Sequence, residues 1–170
     1  MIGAMCGRYA NDSSLNEFLE DLVVEHGLQA LQHWQDYVPA YNIKPTNQVP
    51  VILHGKREDA DVITLARWSL VPAWAKELST KFPTFNARSE GITQKASWKG
   101  PVKSSRCLIP ASGYYEWTGT KAPKTPHWIH PVHETPLMFA GLYSWWPDPT
   151  KDEDDESRWH LTTTILTMAS

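Results

Sequence analysis

The sequence has only two cysteines, Cys6 and Cys107, and neither stands in a CxxC pair. The seven histidines fall at no zinc-ligand spacing, so no metal and no cofactor is expected. Two cysteines a hundred residues apart, in a chain without a secretory start, read as free thiols rather than a disulfide. There is no run of eighteen or more apolar residues to cross a membrane as a helix. There is no basic segment followed by an apolar one at the N-terminus, which argues against a secretory signal. Internal repeats and clear linkers are also absent. These absences lead to the expectation of a single-domain, cytoplasmic, monomeric protein with no membrane partner.

What the chain does have is proline and tryptophan, thirteen and nine of its 170 residues. Abundant proline favours strands and loops over long helices. One helix is signalled. Ser13 or Ser14 can cap it, Leu15, Phe18, Leu19, Leu22 and Val23 recur at helical spacing, and Gly27 is a plausible stop. The rest reads as short strands rich in β-branched and aromatic residues: 49–54, 62–70, 106–110, 113–118, 127–130, 137–144 and 159–168. The acidic run 152–156 reads as an exposed hairpin tip, and 94–105 as a short helix broken at Gly100-Pro101. The fold class is therefore α+β: a β-rich, mostly antiparallel, barrel-like core with a few peripheral helices.

The charge is unevenly spread. Between Arg67 and His130 ten bases face three acids, a net +7, while the flanks carry −10 of the overall −3. A basic middle suits a one-sided phosphate-binding face, and equally a lysine-rich solvated surface. Within it Glu116 lies between Tyr115 and Trp117. Two readings stay open there: a desolvated carboxyl ready for proton transfer, or an outward-facing strand residue. Trp68, Pro72 and Trp74 likewise suit either a base-stacking platform or a core. Cys107 reads as a buried strand residue without a catalytic part.

Six stretches in order carry a resemblance: Cys6-Gly-Arg-Tyr, Tyr41-Asn-Ile-Lys-Pro45, Arg67–Trp74, Asn86-Ala-Arg-Ser-Glu90, Arg106–Trp117 and Pro136–Tyr143. Together they resemble the SOS response-associated peptidase (SRAP) family, whose domain senses abasic sites in single-stranded DNA. The resemblance implies one SRAP domain over 6–170, with 1–5 an extension or tag. It implies roles by residue: Cys6 as nucleophile, Asn86 orienting it, and Glu116 as general acid/base. Arg8 and Arg88 would contact phosphates, with Pro45, Trp74 and Trp117 at the DNA cleft. Ala75 stands where some members carry a second bulky aromatic, which weakens any wedge formed with Trp74.

The implied chemistry suits a cysteine at position one of a mature chain. Its α-amine, of reference pKa about 7.7–8.0, attacks the aldehyde of a ring-opened abasic site; its thiol, about 8.5, then closes a thiazolidine. Proximity makes that closure effectively unimolecular. Residues ahead of Cys6 would block it as an amide, so their autoproteolytic removal is expected. In the family, a strand like Leu161–Ser170 leads to a segment with a catalytic histidine. The chain stops first, so the domain reads as cut short with that proton-transfer group lacking; His160 precedes the matching strand motif and does not inherit the role. Two other classes fit less of the sequence: a non-covalent single-stranded DNA binder with idle Cys6, and a class II glutamine amidotransferase, whose Asn-Gly-Glu-type loop has no counterpart here.

Overall fold

A computed structural model describes residues 7–30, 34–57, 59–119, 123–133 and 135–168. The first strand, β1 (Arg8–Asn11), leads into helix α1 (Ser13–His26). Asp12 rather than a serine caps the helix: its carboxylate accepts from Leu15 N–H at 3.2 Å and from Ser14 Oγ at 2.6 Å. Gly27 ends it in the left-handed conformation (φ 68°), as the stop signal suggested.

The remaining strands are β2 (Gln29–Ala30), β3 (Ala40–Ile43), β4 (Gln48–Gly55), β5 (Ala60–Trp68), β6 (Asn86–Arg88), β7 (Arg106–Ala111), β8 (Gly113–Thr118), β9 (Thr125–Ile129), β10 (Leu137–Pro147) and β11 (Trp159–Thr167). Two one-turn helices, α2 (Ala96–Lys99) and α3 (Pro101–Ser104), flank the Gly100-Pro101 break. The seven strands read from the sequence are all present. The ones it did not announce, β1, β2, β3 and β6, have two to four residues each.

Strands β5, β4, β7, β10 and β11 follow one another, and β11 returns to β5 through the pairs Thr162↔Arg67 and Thr163↔Trp68. The result is a closed five-stranded barrel with β2 and β6 attached at its seams. Period-two alternation fills it: Val49, Val51 and Leu53 from β4, Val62, Ala66 and Trp68 from β5, Cys107, Ile109 and Ala111 from β7, with Tyr143, Leu161 and Ile165. A second sheet, ordered β3-β1-β8-β9, packs on this core through Tyr9, Ile43 and Tyr114.

One glycine is obligatory for the barrel. Gly141 pairs with Cys107 on one side and Ile165 on the other. A Cβ there would lie 2.8 Å from Ile109 Cδ1, 2.9 Å from the Thr164 carbonyl oxygen and 3.0 Å from Cys107 Sγ. Gly141→Ala should therefore destabilise the domain by about 1–3 kcal/mol through overpacking, visible as a lower urea midpoint with an unchanged slope.

Cys107 is buried with its thiol 3.4 Å from Thr163 Oγ1, as its strand reading suggested. Burial pushes that thiol up to about 11. The native protein should leave Cys107 unmodified by iodoacetamide at pH 8, with alkylation appearing only in denaturant, as peptide mapping would report.

Candidate active site

Three separate segments meet over one aromatic cluster. Tyr9 of β1 packs edge-on against Trp68 (ring centroids 5.0 Å) and Phe139 (5.9 Å). Trp68 packs against Phe85 at 5.9 Å and donates its indole N–H to the Phe85 carbonyl at 2.8 Å. Tyr114 of β8 reaches Phe139, also at 5.9 Å. Three of these aromatics lie close in sequence to candidate chemistry: Tyr9 follows Arg8, Phe85 precedes Asn86, and Tyr114 lies two residues before Glu116. The buried rings thus fix the backbone from which the polar groups project. Cys6 lies outside the described residues; Gly7, half-buried, is the first described residue and enters β1.

Asn86 and Arg88 share one face of β6, because the intervening Ala87 is buried against Leu70, Ile92, Trp98 and Leu142. Parallel pairing with Ile165 and Thr167 of β11 fixes their height at the barrel seam. Asn86 is half-buried and Arg88 exposed.

Glu116 takes the core-side face of β8. Tyr114, two residues before it, packs against the core, whereas Tyr115 and Trp117 turn to the other face. Glu116 Oε1 is buried with no hydrogen-bond partner among the described residues. Burial pushes its carboxyl above the ordinary value. Glu116 is half-buried, on the face of β8 that it shares with Tyr114. Across the strand pair stands His127, whose Nε2 is 2.8 Å from Thr118 Oγ1.

The pleat separates the two kinds of candidate. Arg8 lies opposite Tyr115, and Tyr115 opposite Trp128, so all three share the outer face with Trp117. There the Tyr115 ring is tilted 4.8 Å from Trp128 and 6.3 Å from Trp117, and Trp128 stacks on His130 at 6.0 Å. Arg8 Nη1 donates to Asn42 Oδ1 at 2.6 Å. Trp128 is thus an addition to the site's surroundings from outside the quoted motifs, and Tyr115 one from within the Arg106–Trp117 stretch that had been given no role.

Pro45 sits in the β3–β4 connection, where Asn47 N–H donates to the Lys44 carbonyl at 3.1 Å. Thr46 takes φ 80°, the left-handed position of a type II turn with proline ahead of it. Its N–H donates to the Trp68 carbonyl at 2.6 Å, which ties Pro45 to the aromatic cluster. Trp74 is 70% exposed on the 69–85 loop, so it is no core residue, whereas Trp68 is fully buried. His160 stands five residues from Ile165 on β11, roughly 16 Å along the strand. Its ring lies 5.5 Å from Trp146, and its Nε2 4.0 Å from Asp148 Oδ2.

The chain is similar to several known proteins. The chain is 33% identical over 147 residues to "Abasic site processing protein YoqW" of Bacillus subtilis, covering 85% of this chain and 62% of that protein. It is 35% identical over 145 residues to "Abasic site processing protein HMCES" of Gallus gallus, covering 69% and 43% respectively. Among solved structures, a phage-related protein of Bordetella bronchiseptica superposes with a TM-score of 0.65 at 27% identity, over 96% of this chain and 69% of that one. A Bacteroides thetaiotaomicron protein superposes with a TM-score of 0.70 at 23% identity, over 98% and 67%, a likeness of fold. The chain thus spans about three-fifths of the length of the Bacillus relative. The description "SOS response associated peptidase (SRAP)" matches residues 5–170, and with the β-rich barrel and this aromatic-floored site the chain belongs to the SRAP family.

Proposed function

We propose that this protein binds single-stranded DNA at abasic sites and attaches itself covalently through Cys6. Freed of Met1–Met5 by autoproteolysis, that residue carries an α-amine and a thiol. The amine adds to the C1′ aldehyde of the ring-opened deoxyribose, and the carbinolamine loses water to give an imine. The thiol sulfur then bonds to the same carbon while its proton passes to nitrogen, closing a thiazolidine. The sum is aldehyde plus aminothiol giving ring plus one water, with no change of oxidation state.

The desolvated carboxyl of Glu116 is the observation that carries this reading. Amine addition and dehydration need a proton taken from one atom and returned to another near neutral pH, and a carboxyl with a raised pKa can do both. Asn86 supplies an amide at the adjoining seam to orient the cysteine. Arg8 and Arg88 offer guanidinium groups for phosphates flanking the lesion. Trp117, 37% exposed on an aromatic face, offers a surface for a neighbouring base.

Intact-mass spectrometry tests the reading. Protein beginning at Cys6, mixed with a single-stranded oligonucleotide holding one abasic site, should gain the oligonucleotide's mass less one water. An undamaged oligonucleotide should add nothing. Reversible, lesion-independent binding with no covalent species would favour the plain DNA-binding alternative.

A further inference from the structure

The barrel is closed differently at its two ends. At one, the aromatic cluster of Tyr9, Trp68 and Phe139 fills the space beneath the active site. Toward the other, the inward-facing series of β4 runs Val49, Val51, Leu53 and then Gly55. On β5 the same series passes from Val62 to Ala60. Gly55 and Ala60 are a cross-strand pair. The outermost layer of these two strands therefore holds nothing larger than a methyl group, and neither strand plugs that end.

A cavity of about 560 Å³ opens there. Its floor is Leu53, Val62, Thr64 and Tyr143, all buried. Trp145, two residues beyond Tyr143 on the same face of β10, forms a wall and is 44% exposed. Val62 stands six residues before Trp68 on β5, roughly 20 Å along the strand, so this cavity is separate from the active-site floor.

Polar groups converge on the rim. Lys56 and Arg57, exposed in the β4–β5 turn, line the cavity together with Ser105. The Ser105 carbonyl accepts from Tyr143 N–H at 2.8 Å, which ties that residue to β10. No carboxylate is among the described residues that line the cavity. Asp59 and Asp61 of the same hairpin face His54 instead: Asp61 Oδ1 lies 3.2 Å from its Nδ1, and Asp59 Oδ1 3.6 Å from its Nε2.

These features select a ligand class. The cavity is shallow, because Val51, Ala66 and Ile109 fill the lumen behind its floor. A shallow apolar floor takes a ring and has no tunnel for an acyl chain. The indole wall favours a planar aromatic ring, which can stack on it or meet it edge-on. The two cations on the rim favour an anionic substituent, and a guanidinium fork matches the paired oxygens of a carboxylate or phosphate.

We propose that this end of the barrel binds a small planar aromatic anion, its ring on Leu53 and Val62 against the Trp145 indole and its carboxylate or phosphate held by Lys56 and Arg57. The site is distinct from the DNA chemistry proposed above and does not rest on it.

Titration with anilinonaphthalene sulfonate, an aromatic anion whose fluorescence rises when it leaves water, tests the site. Trp145→Ala and Lys56→Gln/Arg57→Gln should each weaken its binding roughly tenfold. Ala60→Phe, which fills the open layer and removes no contact, should abolish it. Lys76→Gln/Lys81→Gln, which removes the same charge elsewhere, should leave it unchanged. Displacement of the dye by naphthoate would assign a carboxylate ligand and displacement by adenosine monophosphate a phosphate; displacement by neither would overturn the site. Saturating oligothymidine should leave the dye's affinity as it was, and a loss would overturn the proposal by placing the dye on the DNA face. Full affinity in the Trp145 and Lys56/Arg57 variants, or an equal loss in the Lys76/Lys81 control, would overturn it as well.

Discussion

A chain whose first residue is Cys6 should attach completely and stably to an abasic oligonucleotide, and the same chain retaining Met5 should not attach at all. The difference is one peptide bond. With Met5 in place the Cys6 nitrogen is an amide whose lone pair is delocalised into the carbonyl, and it cannot form an imine. Thiol addition alone gives a hemithioacetal, which reverts in water. Cys6→Ser at the mature N-terminus separates the two atoms' contributions. It keeps the amine and loses the thiol, so its adduct should survive only when borohydride reduces the imine. Denaturing gels with and without borohydride read all three outcomes. An irreversible adduct from uncleaved protein, or from the serine variant without reductant, would overturn the thiazolidine.

The parts of this molecule that were legible in the sequence are those set by local pattern. Helix α1 shows its apolar stripe and its Gly27 stop, although its cap moved to Asp12, one residue ahead of the serines, where a carboxylate reaches Leu15 N–H. The long strands show alternation because each buries one face in the barrel. What stayed hidden depends on distant partners. The four residues of β1 form a strand because Ile43 lies on one side and Tyr114 and Tyr115 on the other. Within Arg-Tyr-Ala-Asn itself only the tyrosine favours that state. β6 is held by Ile165 and Thr167, some eighty residues away.

The site divides the same way. The motifs named Asn86 and Glu116, but no spacing could say that Phe85, Trp68, Tyr9, Phe139 and Tyr114 form one floor beneath them. The basic segment was visible as a count. Its convergence was not: Lys99 and Lys103 line one cavity with Trp74, and Lys76 and Lys81 another, which brings the 69–85 loop beside residues 96–103.

Glu116→Gln should slow adduct formation by about 10²–10⁴-fold and change the shape of its pH dependence. The carboxylate takes the proton of the α-ammonium, freeing the amine to attack, and returns it to the hydroxyl that leaves as water. The competent state therefore holds one proton between the two groups. Its population falls at low pH, where Glu116 is also protonated, and at high pH, where the amine has already lost its proton. The wild-type rate should trace a bell. Its acid limb lies above the usual carboxylate range, because burial raises Glu116, and its alkaline limb lies near the amine's reference value of about 7.7–8.0. With glutamine the acid limb has no carboxyl to report, and the rate should climb to a plateau above the amine's pKa. The two limbs belong to a coupled pair, so the wild-type profile reports the pair rather than either group alone. Stability provides the control. A raised carboxyl pKa means that ionised Glu116 works against the fold, and stability falls as pH rises through that pKa. Glutamine removes the charge, so Glu116→Gln should melt no lower than wild type at pH 7.5. A variant that melts normally, reacts at the wild-type rate and keeps the bell would remove Glu116 from the mechanism.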